Sequence, residues 1–362
     1  MKLTLLTNSD IGKPGLIGVR PYYVVKKAIE NNTPISIICR KNYDSTIKEY
    51  VKELGIFQKY FNLFCVGVNR FISDKIPLGK YKNVLFDMLA ERKISTSDII
   101  HVWDDTPNTL EYAKTKFNPI IIRDIPIYSE NFKVKPYFDY YIAPSQYIYE
   151  QLLKKNISKN RIKIIPFGVD LKKYKPNVSL KSETFRVLFV GMIAQRKGVL
   201  TLLKAWSKLN LTDSELVLCG HIHINVKDEV NKYLKQDQSI IYRGNLNEED
   251  LIQEYQKATI FILPSTREGS AKVVYEAMAC GLPIITTKNA GSIITDNKEG
   301  YIIPTNDYQS IVRTLKNLYN NENIVNAMSA QSIATIQKYS WDNYANNVYT
   351  YYKKILKSTS HK

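Results

Sequence analysis

The stretch Thr259-Ile260-Phe261-Ile262-Leu263-Pro264-Ser265-Thr266-Arg267-Glu268-Gly269-Ser270-Ala271 passes from a strand-like run into the start of a helix. The apolar run stops at Pro264. Helix-compatible residues then continue to Ala279, Cys280-Gly281-Leu282-Pro283 halts them, and a second apolar run covers Pro283–Thr286. Apolar run, glycine-bearing loop, helix, Gly and Pro stop, apolar run: this is the order of a βαβ unit, and it implies parallel strands. Gly269 and Ser270 are small enough to let backbone approach a ligand, and Ser270 is a candidate N-cap. The unpaired N–H groups of a helix start suit a phosphate. Glu268 falls just before the helix and Glu276 about two turns into it, where carboxylates can grip sugar hydroxyls. Two solvated glutamates on an ordinary loop would look the same in isolation.

Working upstream, Arg186–Val190 is strand-like and ends at Gly191, and Gly198 opens a helical stretch with Val199, Leu202, Leu203, Trp206 and Leu209 on one face. Between them lies Met192-Ile193-Ala194-Gln195-Arg196-Lys197. Cations are unfavourable at the positive end of a helix dipole, so Arg196 and Lys197 in this position favour an anionic ligand over a solvated pair. Glu215–Leu218 and Tyr301–Ile303 complete the strand-like runs of this half. The first half repeats the alternation, with strands expected over Lys2–Thr7, Ile35–Arg40, Asn62–Val66, Ile99–Trp103, Ile120–Arg123 and Tyr140–Ala143, and a helix over Tyr22–Asn31. The fold class is therefore α/β, with two doubly wound parallel sheets. A chain of 362 residues fits two such domains.

The net charge is +17 and it is uneven. Residues 1–180 carry 29 Lys and Arg against 17 Asp and Glu, the remainder 22 against 17. A basic N-terminal half suggests an anionic surface or substrate there. The segment Arg70-Phe71-Ile72 to Lys82 mixes bases with apolar residues and could lie on an anionic membrane, or be a plain surface of a basic protein. Cys39, Cys65, Cys219 and Cys280 form no C-x-x-C pair and read as reduced thiols of a cytoplasmic protein. No run reaches the ~18 apolar residues of a membrane span, and the N-terminal run is too short for a signal peptide, so membrane contact would be peripheral, at the inner face.

From Ser265 to Pro304 the chain resembles the donor-binding signature of the retaining GT-B glycosyltransferases of family-4 type, the glycosyl transferases group 1. Glu268 and Glu276 end an E-x7-E motif, Ala279–Pro283 matches A-x-G-x-P, and the match runs on through Asn289-Ala290-Gly291-Ser292 and Glu299-Gly300-Tyr301-Ile302-Ile303-Pro304. Arg196-Lys197-Gly198 resembles the family's R-K-G phosphate site. Ile165-Pro166-Phe167-Gly168-Val169-Asp170 resembles its lead into the interdomain linker, and Tyr339-Ser340-Trp341 its C-terminal motif. The resemblance covers roughly residues 140–345. It implies two Rossmann-like domains facing a cleft: an acceptor domain over 1–175, to which a helix over 341–356 returns, and a nucleotide-sugar donor domain over 184–340.

The same resemblance implies roles for individual residues. Glu276 would accept hydrogen bonds from the donor's ribose, and Glu268 would face the sugar near its reacting carbon. Backbone at Gly269, Ser270, Ala271 and Lys272 would bind the diphosphate, which Arg196 and Lys197 would neutralise as it leaves. The base would rest against the loop Tyr242-Arg243-Gly244. In the first domain the loop holding Gly12, Lys13 and Gly15 would touch acceptor and phosphate. Two departures from the family stand out. Met192 occupies the place of an arginine that follows Gly191 in many members. Where many members carry a histidine, this chain reads Ile122-Arg123-Asp124-Ile125-Pro126. His101, at a strand end, is the candidate substitute, against the plainer reading of a structural histidine. The expected activity is transfer of a sugar from a nucleoside diphosphate sugar to a glycan or lipid-linked acceptor, with retention, and with no metal or other cofactor. Asp104-Asp105 is not a D-x-D metal motif. The alternatives are a nucleotide-sugar epimerase of the same fold and a basic nucleic-acid-binding protein. No aromatic RNA-binding motif or basic recognition helix is visible, so nucleic acid is not an expected partner.

Overall fold

The computed structural model describes residues 1–12, 18–54, 78–127 and 132–359, with the side chains of residues 78–82 set aside. The expectations for Lys13, Gly15, Cys65, the strand over 62–66 and the basic segment 70–82 lie outside what is described. The chain divides into two compact units. One comprises 1–143, 152–165 and 344–362, the other 144–151 and 166–343.

The first unit is built on seven parallel strands: β1 (Leu3–Leu6), β3 (Ile35–Cys39), β5 (Val51–Glu53), β6 (Ile99–Val102), β7 (Ile120–Asp124), β8 (Tyr140–Ala143) and β9 (Ile162–Ile164). A separate short pair joins β2 (Asp10–Ile11) to β4 (Lys41–Asn42). The large sheet runs β5-β3-β1-β6-β7-β8-β9, so strand order reverses direction between β1 and β6. Helices α1 (Val19–Glu30), α2 (Leu78–Glu91), α3 (Pro107–Phe117) and α4 (Gln146–Lys154) alternate with these strands. β1 and β6 are buried throughout. Parallel strands covered on both faces need such unbroken apolar runs, which is why Leu3–Leu6 shows no alternation. β5 has no such run and was not expected as a strand.

The second unit carries six parallel strands: β10 (Phe185–Val190), β11 (Ser214–Cys219), β12 (Ile240–Gly244), β13 (Ile260–Leu263), β14 (Ile284–Thr287) and β15 (Gly300–Ile303). Their order is β12-β11-β10-β13-β14-β15, a doubly wound sheet whose direction of winding reverses between β10 and β13. The intervening helices are α5 (Val199–Trp206), α6 (Lys227–Gln236), α7 (Glu248–Lys257), α8 (Lys272–Ala279), α9 (Tyr308–Asn320) and α10 (Glu322–Ile336). α5 ends at Trp206, short of the Leu209 expected on its face. Phe261, Ile262 and Leu188 are fully buried. Truncating such a core side chain to alanine costs roughly 2–5 kcal/mol. The last helix, α11 (Trp341–Thr359), belongs from Tyr344 onward to the first unit.

Candidate functional site

In an open parallel sheet, ligands bind beyond the strand ends where the winding reverses. In the second unit that place is flanked by the loops after β10 and β13. The β10 loop turns through a short 3₁₀ segment, Gln195–Lys197, and Gly198 then starts α5 with φ +74°. A Cβ on Gly198 would fall 2.1 Å from the Pro264 carbonyl oxygen, so only glycine allows the two loops to touch. The loops are also tied by hydrogen bonds. The Thr266 amide donates to the Arg196 carbonyl at 2.9 Å, and the Asn289 side chain donates to the Thr266 carbonyl at 2.8 Å.

This geometry brings Arg196, Lys197 and Glu268 together. Arg196 Nη1 lies 2.5 Å and Lys197 Nζ 2.8 Å from the same oxygen, Glu268 Oε1. The Glu268 and Lys197 side chains are 8% and 11% exposed, while that of Arg196 is 42% exposed. Burial pulls the Lys197 ammonium below its usual range, and the Glu268 carboxylate opposes that shift. Two cations around one carboxylate leave a surplus positive charge, with one arm open to an incoming anion.

Beyond Glu268 the chain enters α8. Gly291 packs so closely that an added Cβ would meet the Gly269 carbonyl oxygen at 2.2 Å. The same carbonyl accepts a hydrogen bond from Ser145 Oγ at 2.5 Å. Ser270 does not cap the helix. Ala271 holds the cap position, and Ser270 Oγ lies 2.8 Å from the Tyr275 hydroxyl. Of the amides expected to face a diphosphate, that of Ala271 donates to the Ala290 carbonyl at 3.2 Å. No hydrogen bond joins the Ser270 or Lys272 amide to another described residue.

Glu276 is buried in α8. Its Oε1 lies 2.9 Å from Lys272 Nζ, one turn back, and its Oε2 accepts a hydrogen bond from the Tyr255 hydroxyl at 3.0 Å. Burial and the neighbouring Glu276 carboxylate push the Tyr255 phenol well above its usual range. The Cys280 thiol is pushed up to about 12, by burial first and Glu276 second.

Tyr242, Arg243 and Gly244, expected as a loop, instead form the end of β12. Tyr242 is exposed, and Arg243 Nε lies 3.3 Å from the buried Glu254 carboxylate. Just beyond them is a pocket of about 330 Å³, lined among others by Gly191, Met192, His221, Asn245 and Leu246. The sequence reading named Met192 only as a departure and missed His221, Asn245 and Leu246. The available signal was their place directly after the glycines or strand end that close β11 and β12.

In the first unit, Gly12 has φ +76° and packs against Asp44. His101 is fully buried within β6, which agrees with the reading of a structural histidine and not with that of a catalytic substitute. Its Nδ1 lies 2.5 Å from the Tyr352 hydroxyl of α11, and its ring stacks on Trp103 with centroids 3.9 Å apart. Asp124 is also buried. It pairs with Arg20 of α1, accepts a hydrogen bond from the Tyr344 hydroxyl at 3.2 Å, and lies 3.9 Å from His101 Nε2. Burial, with Arg20 and Arg123 nearby, pulls the His101 imidazole well below its usual range, so it is neutral. Among the described residues, no group of three or more His, Cys, Asp or Glu is arranged to hold a metal ion. No described helix is long and apolar enough to cross a membrane.

The architecture matches solved proteins over nearly the whole chain. Anabaena HepE in complex with UDP is 16% identical, with a TM-score of 0.71 over 98% of this chain and 100% of that one. A glycosyltransferase from Rickettsia africae is 20% identical, with a TM-score of 0.73 over 98% and 99%. The fold is thus GT-B, with two Rossmann-like domains. More narrowly, residues 171–335 match the family described as glycosyl transferases group 1. The capsular polysaccharide biosynthesis glycosyltransferase CapM of Staphylococcus aureus is 24% identical over 203 residues, 51% of this chain and 53% of CapM. The chain spans about half the length of the first curated relatives it matches. These likenesses give no support to the epimerase or nucleic-acid-binding alternatives.

Proposed function

We propose that this protein is a glycosyltransferase that moves a sugar from a nucleoside diphosphate sugar to a glycan or glycolipid acceptor with retention of configuration. The observation that carries the reading is the convergence of Arg196, Lys197 and Glu268 at the winding reversal of the second sheet, beside the start of α8. Breaking the sugar–phosphate bond builds negative charge on the diphosphate and positive charge on the ring. Arg196 and Lys197 stabilise the first, and Glu268, freed as they turn to the phosphates, stabilises the second. The acceptor oxygen attacks from the face the diphosphate leaves, and the departing phosphate oxygen takes its proton. This route needs neither an enzymic base nor a metal.

Glu276 holds the ribose hydroxyls in place of Lys272, whose exposed ammonium is free to swing away. The base enters beside Tyr242, Arg243 and Gly244. The first unit holds the acceptor, with Gly12, Lys13 and Gly15 at its loop. HepE has been solved with UDP and with UDP-glucose, which makes uridine nucleotides the first donors to try. The CapM likeness supports a role in cell-surface polysaccharide synthesis. The basic N-terminal half supports a cytoplasmic location at the inner face of an anionic membrane.

A panel of UDP-, GDP- and ADP-sugars tests the reading by thermal shift and by release of the nucleoside diphosphate. One family of donors is expected to stabilise the protein by about 2.7 kcal/mol at a hundredfold excess over its Kd. Turnover is expected to persist in chelator. Indifference to every donor overturns the assignment, and activity that chelator abolishes and manganese or magnesium restores overturns the metal-independent mechanism.

A further inference from the structure

The first unit holds a groove of about 850 Å³ on the edge of its sheet where β7, β8 and β9 begin, walled also by the last turns of α11. Ligand loops of parallel sheets lie at the other ends of the strands, so this groove is separate from the place where acceptor chemistry is expected. Its wall carries Lys159, Arg161, Lys163 and Lys354 against one acid, Asp139. Asp139 is already engaged: its carboxylate lies 2.8 Å from Lys114 Nζ and accepts the Ile121 amide at 2.7 Å. The Arg161 guanidinium is fixed by donation to the carbonyls of Phe138 and Asp139, the latter at 2.7 Å. Lys159, Lys163 and Lys354 are exposed and have no ion-pair partner among the described residues. The Tyr351 hydroxyl is buried in the same wall with no hydrogen-bond partner among the described residues.

We propose that this groove binds a compact anion bearing one or more phosphoryl groups. Three ammonium groups and one anchored guanidinium around a concave space focus positive potential there, and among the described residues of the wall no acid is free to balance them. Ammonium and guanidinium donors form charge-assisted bonds with phosphoryl oxygens, and the Tyr351 hydroxyl supplies a further donor at the groove wall. The volume falls within the ~300–1,000 Å³ of small-molecule sites. A phosphorylated soluble compound and a phospholipid headgroup share this chemistry.

The experiment compares the full chain with the Lys159→Gln/Lys163→Gln/Lys354→Gln variant. Calorimetry with inorganic pyrophosphate reads the soluble source. Cosedimentation with phosphatidylglycerol-containing vesicles, against pure phosphatidylcholine, reads the lipid source. Each lysine near an anionic surface contributes about fivefold, so the triple variant should weaken binding on the order of 100-fold. An Arg196→Ala control separates any pyrophosphate bound at the proposed donor site, because that event survives in the triple variant and disappears in the control. Loss of a pyrophosphate event in the triple variant identifies a soluble ligand, and loss of vesicle binding alone identifies a headgroup. Pyrophosphate and vesicle binding both unchanged by the triple variant overturn the proposal. The three lysines are exposed, so the melting temperature should stay at the wild-type value. If it falls, the single variants are used, each expected to lose about fivefold, and three silent singles overturn the proposal equally.

Discussion

Each unit contains a carboxylate paired with arginine near the winding reversal of its sheet, but the two pairs are built differently. Around Glu268, two cations share one oxygen, Arg196 is partly open to solvent, and the adjoining α8 start keeps amides without acceptors. Around Asp124, the arginine, the histidine and two tyrosines are all sealed. Arg20, His101, Tyr344 and Tyr352 are each buried, and α11 covers them. A buried charge therefore does not mark a binding site by itself. Surplus charge with a path to solvent sets the Glu268 cluster apart from the Asp124 cluster.

The largest effect that sharpens this contrast is on stability. Asp124→Ala leaves Arg20 buried without its counter-ion and should cost roughly 3–5 kcal/mol of unfolding free energy. Nucleoside diphosphate affinity should not change. Denaturant unfolding together with calorimetry checks this, and an intact melting curve with altered donor binding would reverse the roles of the two clusters.

The next effect is on turnover. Glu268→Gln should lower kcat by about 100-fold or more, the usual scale for losing one preorganised electrostatic contact to the transition state. The same change releases Arg196 and Lys197, so nucleoside diphosphate should bind as tightly as before or more tightly. Steady-state kinetics alongside calorimetry separates the two, and parallel losses would return Glu268 to a purely structural role.

A smaller effect belongs to Glu276. Glu276→Ala removes a charged hydrogen-bond acceptor and should weaken the isolated nucleoside diphosphate by roughly 1–3 kcal/mol. Affinity at the wild-type level would mean that the Lys272 and Tyr255 contacts exhaust what this carboxylate does.

The smallest effect concerns pH. His101 is neutral when folded and takes up a proton near pH 6.5 once unfolded. The unfolded state thus binds more protons below that pH, and stability declines as pH falls from 6.5 towards the depressed folded value. The slope is at most about 1.4 kcal/mol per pH unit. His101→Gln should flatten it between pH 6.5 and 5.5 in denaturant titrations, and an unchanged slope would place the proton elsewhere.

Legibility from sequence followed the range of the interactions involved. The βαβ unit from Ile260 to Thr287 could be read because Pro264, Gly281 and Pro283 punctuate it locally. The meeting of Arg196, Lys197 and Glu268 was legible only through the family resemblance, since two separate loops must meet across β10 and β13. β12 went unread because Tyr242 and Arg243 are exposed on an edge strand and show neither an apolar run nor a clean alternation. The Ala271 amide looked free because its acceptor, Ala290, arrives from the loop after β14. What packs on His101 could not be read locally, because the tyrosine that seals it lies 251 residues further on.

That last separation has a consequence for synthesis. Tyr344, Tyr349 and Tyr352 complete the core of the first unit, through Asp124, Thr33 and His101. All three are translated after every residue of the second unit. The ribosome therefore makes the first sheet early but supplies α11, which packs on it, only after the whole second unit. The second unit can reach its native state while the first is still missing a face. The usual vectorial order, in which the N-terminal domain finishes folding first, is inverted: until the second unit has been made, the first sheet lacks the apolar cover that α11 brings.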